Sequence, residues 1–206
     1  MNKHSKPLVN LIRGWPSTSL LPISQIAAAA QAVLSEPSIA YPGLLYGPDE
    51  GHEPLRREIA KWLTDFYEPA KPINYERICI TGGASQNLGS MLQVFTDPTY
   101  TRNIWIVVPA YFLAFRIFED NGFAGKMRAV PEDEDGIDIN YLEREMKKSD
   151  DEAEKGGMMK PTLKSNRKTY RHIIYCVPTF ANPSSRTMPL GRRRDLVRCA
   201  RKFDAL

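Results

Sequence analysis

The sequence predicts an α/β fold in which a mostly parallel sheet carries helices on both faces, and three observations lead there. Two apolar runs, Ile104-Trp105-Ile106-Val107-Val108 and His172-Ile173-Ile174-Tyr175-Cys176-Val177, are continuous, and each is stopped by a proline. That is the pattern of strands covered on both sides. Before and between these runs lie stretches with apolar residues at helical spacing, so strands and helices alternate along the chain. Three strand ends are polar or glycine-rich, at Gly82 to Gln86, Pro109 to Tyr111 and Pro178 to Arg186, which is where such sheets gather ligand groups.

In order along the chain, residues 1–22 are irregular and turn-rich. A helix is predicted after Pro22, capped by Ser24, with Ile26, Ala29, Ala30, Val33 and Leu34 on one face and an end before Pro37. Tyr41 to Gly51 reads as a long loop. The helix over His52–Tyr67 sets Leu55, Ile59, Trp62, Leu63 and Phe66 toward a core. Ile78-Cys79-Ile80 reads as a short strand, followed by a helix with Leu88, Met91, Leu92 and Phe95 on its buried face. After the strand over Ile104–Val108, a helix is predicted from Tyr111 to Asn121, closed by Gly122. Met127 to Pro131 is a short strand, and a helix follows from about Asp138 to Lys148 with Leu142 and Met146 inward. Residues 149–169 have almost no aliphatic periodicity and read as an exposed, flexible insertion. The last helix starts near Leu190 with Leu196, Val197, Ala200 and Phe203 inward and Arg192, Arg193, Arg194, Arg198 and Arg201 toward solvent. The predicted division is an N-terminal arm and helix over 1–45 and a larger domain over 46–206 that carries the insertion.

With 206 residues and 42% hydrophobic content, the chain is large enough to bury a core. A formal charge of +4, with the basic residues dispersed apart from Arg192-Arg193-Arg194 and the lysines between Lys147 and Lys168, does not imply a nucleic-acid partner. Cys79, Cys176 and Cys199 have no metal-ligand spacing, so no metal is expected. They read as buried thiols of a reducing compartment. No stretch reaches 18 apolar residues, so no membrane span is expected and the cytoplasm is the predicted location.

The stretch Ile78 to Gly89 has the outline of an anion cradle. Gly82 and Gly83 permit positive φ and close backbone approach, and the next helix aims its unpaired N–H groups and positive dipole end there. It matches neither the dinucleotide fingerprint nor a Walker loop, and an ordinary tight connection remains the alternative.

Taken in order, these segments resemble the pyridoxal-phosphate-dependent aminotransferases of fold type I, class I/II, a group that includes 2-aminoadipate transaminases. Asn10-Leu11-Ile12-Arg13-Gly14-Trp15-Pro16-Ser17 resembles the family's Leu-x-x-Gly-x-Pro segment, which implies that Gly14 approaches the substrate carboxylate. Tyr46-Gly47-Pro48-Asp49-Glu50-Gly51-His52-Glu53-Pro54-Leu55-Arg56 resembles the Tyr-Gly-x-x-x-Gly-x-x-x-Leu-Arg motif. The resemblance implies that Tyr46 reaches the cofactor phosphate of a neighbouring subunit in a homodimer of the full-length protein. It also implies that backbone N–H groups of Gly83, Ala84 and Ser85 hold the pyridoxal 5'-phosphate phosphate, with Ser85 or Gln86 adding a side-chain bond. Tyr111 falls where an aromatic ring stacks on the pyridine. Tyr175 to Arg186 resembles the Pro-x-x-x-Asn-Pro-Thr-Gly motif, so Asn182 inherits the hydrogen bond to the cofactor's 3-hydroxyl oxygen, and Ser185 replaces the usual glycine.

The implied activity is amino-group transfer between an amino acid and a 2-oxo acid, with a lyase using the same cofactor as a variant. Such chemistry needs a Schiff-base lysine and an acid at the pyridine nitrogen, and in the resembling family both lie downstream of the Asn-Pro motif. Lys160, Lys164 and Lys168 lie in the charged stretch, without a setting that lowers a lysine pKa, and Asp204 reads as too early and helical. No residue here is assigned a catalytic role. The expectation is therefore a truncated large domain, the N-terminal half of an aminotransferase and inactive alone. The alternative is a non-catalytic fragment or dimerising remnant.

Overall fold

The computed structural model describes residues 14–156 and 167–206. They divide between Ile80 and Thr81 into two compact units.

In the first unit, helix α1 (Ile23–Leu34) is entered directly from Pro22, so Ser24 lies in its first turn and is not the cap. Helix α2 (Pro37–Gly43) is set by Pro37 in its first turn and by the Glu36 carboxylate, which accepts the Ser38 N–H at 3.2 Å. It takes in Tyr41, Pro42 and Gly43, so the predicted loop begins at Leu44. Helix α3 (Glu53–Tyr67) forms as predicted, yet Leu55, Trp62 and Phe66 are exposed while Arg56 and Ala60 are buried. The reason is that the unit packs along the polar edge of α3. Arg56 Nε donates to Gly51 O (3.0 Å), the Arg57 guanidinium lies 3.7 Å from the Tyr75 ring centroid, and Thr64 Oγ1 accepts the Ile73 N–H (2.9 Å). Helical period identifies an apolar stripe; it does not say what covers it.

The strand predicted at Ile78 to Ile80 is absent. A single 3-10 turn (Tyr75–Arg77) runs into extended residues without a ladder, and Cys79 is exposed, contrary to its reading as a buried thiol. The Ile80 N–H pairs instead with Glu50 O at 2.9 Å. This contact brings Ile80 against Gly51, where a Cβ would meet Ile80 Cγ1 at 2.6 Å and φ is +101°. Only glycine fits that position.

The second unit holds the predicted α/β sheet. Helix α4 (Ala84–Phe95) precedes strand β1 (Asn103–Val108), which is followed by α5 (Leu113–Phe118), β2 (Met127–Asp133), β3 (Gly136–Ile137), α6 (Ile139–Lys155), β4 (His172–Tyr175) and α7 (Leu190–Lys202). The order across the sheet is β3-β2-β1-β4. β1 runs parallel to β2, with Ile104 opposite Met127, and to β4, with Asn103 opposite His172; β3 pairs antiparallel with β2. Alternate residues of β1 feed two cores. Trp105 and Val107 pack with Leu142, Met146, Cys199 and Phe203 under α6 and α7, while Ile104 and Ile106 pack with Leu92, Ala114 and Phe118 under α4 and α5. The sheet is covered on both faces, which explains why β1 reads as one continuous apolar run. Each fully buried Ile or Phe there contributes roughly 1.5–3 kcal/mol.

Several local expectations are corrected. α5 starts at Leu113, two residues after Tyr111, leaving Phe112 exposed, and the turn after it closes on left-handed Gly122. Helix α6, capped by Asp138 through the Tyr141 N–H (2.9 Å), runs on to Lys155. The first seven residues of the stretch read as an insertion, 149–155, are thus helical. Ser149 and Asp150 anchor that extension by bonding Asn103 Nδ2 (2.6 Å) and Arg102. Residues 157–166, with Lys160 and Lys164, lie outside the described residues. On α7, Val197 is exposed, whereas Arg192 and Arg193 turn back onto the protein. Arg192 binds Ile137 O and Asp133, and Arg193 Nη2 donates to Pro178 O and Thr179 Oγ1, both at 2.8 Å. Asp204 is not helical; it stands in a turn at φ 54° beyond α7. Among the described residues no single helix is long and apolar enough to cross a membrane.

Candidate functional site

Because β1 and β4 are parallel neighbours, their carboxyl ends lie side by side, and the chain leaving each delivers a predicted site residue to one place. Tyr111 follows β1 and Asn182 follows β4, and both line one cavity together with Val107, Tyr175 and Cys176. The cavity is narrow, about 20 Å³, room for roughly one water. Tyr111 remains partly exposed above it, its ring 5.7 Å from that of Phe112. Burial raises the Tyr175 hydroxyl above its ordinary value and pushes the Cys176 thiol up to about 11, so both are neutral near pH 7.

The glycine turn is present as predicted, although no strand leads into it. Gly83 is the N-cap of α4 with φ 110° and ψ 175°, a backbone region open essentially to glycine alone, and a Cβ there would have no heavy atom within 4 Å. The first bond of the helical ladder runs from Asn87 N–H to Gly83 O (3.0 Å), so the N–H groups of Ala84, Ser85 and Gln86 precede the ladder at the positive end of α4. Gln86 Oε1 accepts the Gly82 N–H and thereby shapes the turn. That bond uses the Gln86 amide oxygen, so Gln86 Nε2 and the Ser85 hydroxyl, the residues offered by the sequence as side-chain donors, both keep donor capacity. The turn does not line the Tyr111–Asn182 cavity.

Gly14 and Tyr46 belong to the first unit. Gly14 is left-handed at φ 57°, and Tyr46 is fully exposed in the loop after α2. Lys168 binds Asp204 Oδ1 at 2.6 Å, and that hydrogen bond raises the lysine pKa, the opposite of what a nucleophilic lysine needs.

Sequence reasoning missed a charged group beside Asn182. The Glu132 carboxylate, 8% exposed, accepts from Ser184 Oγ (3.2 Å) and faces Arg186 Nε (3.4 Å), and both Glu132 and Arg186 line the cavity. β2 extends past Pro131 to Asp133, and period 2 then places Glu132 on the same face as buried Val130, which the run of acids hides in the sequence.

The Asn182 turn itself closes through Ala181 N–H to Arg186 O (2.8 Å) and Ser185 N–H to Ala181 O (2.5 Å). It has the left-handed step that a glycine would supply, but Ser185 makes it, at φ 62°. Ser185→Gly is accordingly expected to stabilise the chain by about 1 kcal/mol, the cost of a left-handed L-residue, seen as a higher urea midpoint at unchanged slope. An unchanged or lower midpoint would show that the serine is not strained.

The family model for aminotransferase class I and II matches residues 8–206. An uncharacterised protein of Saccharomyces cerevisiae is 35% identical over 96% of this chain and 48% of its own length. Aromatic-amino-acid aminotransferase 1 of Thermococcus litoralis is 27% identical over 96% of this chain and 42% of its own. The crystal structure of an archaeal alanine:glyoxylate aminotransferase superposes with a TM-score of 0.70 at 30% identity, covering 93% of this chain and 41% of that one. The chain thus spans about half the length, or less, of the relatives it matches.

Proposed function

The chain belongs to the class I and II aminotransferases, and from that premise we propose that it supplies the pyridoxal 5'-phosphate-binding part of an enzyme that moves an amino group between an amino acid and a 2-oxo acid. The observation that carries the reading is the Gly83 cradle: an open turn with positive φ at the head of a twelve-residue helix, its first N–H groups preceding the ladder. The residues fit the group. A phosphate is held where backbone donors and a helix dipole converge, without a countercharged side chain.

Bound there, the cofactor supplies an electron sink for the substrate α-carbon. The protein's share is binding and orientation. Gly83, Ala84 and Ser85 hold the phosphate through N–H groups, with the Ser85 hydroxyl as a further donor. Tyr111 offers a ring face for the pyridine, and the Asn182 amide donates to its 3-hydroxyl oxygen, holding that oxygen's charge. Tyr175 and Cys176, both neutral, line the same small cavity as Tyr111 and Asn182 and would set no charge against the bound group there. By the family resemblance, Tyr46 serves the phosphate of a second subunit in a homodimer, and Gly14 approaches the substrate carboxylate. Lys168, tied to Asp204, is not offered as a proton shuttle for this site.

Titration of the chain with pyridoxal 5'-phosphate, followed by tyrosine and tryptophan fluorescence, tests the reading. Saturable binding is expected, weakened about tenfold to a hundredfold by Asn182→Ala, the loss of one hydrogen bond to a charged oxygen. Binding that ignores both Asn182→Ala and Tyr111→Ala would place the cofactor elsewhere.

A further inference from the structure

We propose that Glu132 is a positioning residue, a buried carboxylate that holds the turn carrying Asn182 against the end of β2 and so fixes where the Asn182 amide points. The inference rests on the reading of Asn182 as a cofactor ligand, but its geometry stands apart from that reading. Glu132 lies on β2, Asn182 beyond β4, with β1 between them in the sheet. No backbone ladder joins β2 to the turn. The Glu132 side chain supplies a link, its two oxygens used separately: Oε2 accepts from Ser184 Oγ at 3.2 Å, and Oε1 faces Arg186 Nε at 3.4 Å.

The turn is closed on itself by the Ala181–Arg186 and Ser185–Ala181 hydrogen bonds, so fixing Ser184 and Arg186 fixes Asn182 within the same ring of atoms. A carboxylate with 8% of its side chain exposed is costly to bury unless charged and hydrogen-bond partners satisfy it. Both partners lie in the turn, so the turn is drawn to Glu132. The arrangement is suited to this chain, in which Ser185 holds a left-handed conformation that a serine resists. An anchor on each side of that residue keeps the strained step in place.

Hydrogen exchange on the full chain tests the clamp directly. Glu132→Gln keeps the shape and an acceptor but loses the charge facing Arg186. Exchange of the Ala181 and Ser185 amides is expected to rise at least tenfold, with β1 amides unchanged. In a Ser184→Ala, Arg186→Met background the same substitution should add nothing, because the contacts it acts through are gone. Unchanged exchange in Glu132→Gln would overturn the proposal, and so would a rise spread equally over β1 and β4, which marks a general lesion of the fold. On the same proteins, affinity for pyridoxal 5'-phosphate should fall at least threefold in Glu132→Gln and no further when Asn182→Ala is already present. If Asn182→Ala leaves affinity untouched while the exchange result holds, the cofactor role of Asn182 fails and the clamp stands.

Discussion

Replacing Asp150 with alanine is expected to speed exchange of the slowest amides of β1 and β4 by about two orders of magnitude, equivalent to roughly 3 kcal/mol of lost local stability. Asp150 is 16% exposed and serves three partners: Arg102 through one oxygen, Arg171 Nη1 at 3.2 Å through the other, and His172 Nε2 at 3.1 Å. His172 is fully buried, and its Nδ1 accepts the Trp105 indole N–H at 3.2 Å. With Nδ1 occupied as an acceptor, the ring is neutral and its proton sits on Nε2, donated to Asp150. Removing the carboxylate strands a buried imidazole N–H and the Arg102 guanidinium, 14% exposed, while Arg171 keeps Asp204 at 3.7 Å. Asp150→Asn retains an acceptor and should cost less. Exchange in Asp150→Ala equal to wild type would mean that the cluster is solvated and contributes nothing.

The same cluster fixes a pH dependence. Burial lowers the His172 pKa below 6.5, against the opposing pull of Asp150. Near and below pH 6.5 the unfolded chain binds a proton that the folded one refuses, so stability rises with pH across that range and falls on acidification. The linkage runs opposite to that of a histidine stabilised by its carboxylate.

What could be read from the chain follows from whether the relevant force is local. β1 was legible because a strand buried on both faces has no polar side to interrupt it, and α4 was legible because the pair Gly82-Gly83 has few other uses before a helical period. Ile78 to Ile80 was misread since apolar content does not make a strand without a neighbour to pair, and here the Ile80 N–H finds only Glu50 O. The end of α6 was misread because the force that keeps Ser149 to Lys155 helical is not in their own periodicity. It comes from Asn103, Arg102 and Arg171, far away in sequence and adjacent in space. Arg192 and Arg193 follow the same logic: charged residues on a helix face read as solvated until the carbonyls they reach are known. Tyr111 and Asn182 were singled out by motif, and they line one cavity because β1 and β4 are neighbours, an order the sequence does not display, whereas Glu132 sat in a run of acids, Glu132-Asp133-Glu134-Asp135, that conceals which of them turns inward.

Gly83→Ala is expected to lower affinity for pyridoxal 5'-phosphate by at least a hundredfold while costing about 1–3 kcal/mol in stability, the strain of an L-residue in that backbone region. The two effects have one origin. An added Cβ meets nothing within 4 Å, so the substitution creates no clash, and the whole cost is torsional at φ 110° and ψ 175°. A turn under torsional strain relaxes by rotating the peptide between residues 83 and 84, and that peptide carries the Ala84 N–H of the cradle. Relaxation therefore restores stability at the expense of the donor array, which loses both its geometry and its alignment with the α4 dipole. Ser85→Ala is the contrast. It removes one hydroxyl, leaves every N–H in place and should weaken binding only about fivefold, the worth of a single hydrogen bond. Calorimetric titration of both variants, with β1 amide exchange as the check on folding, separates a backbone cradle from a side-chain one. A larger loss in Ser85→Ala than in Gly83→Ala would mean that the hydroxyl, not the helix end, holds the phosphate. Wild-type affinity in Gly83→Ala would remove the turn from the site altogether.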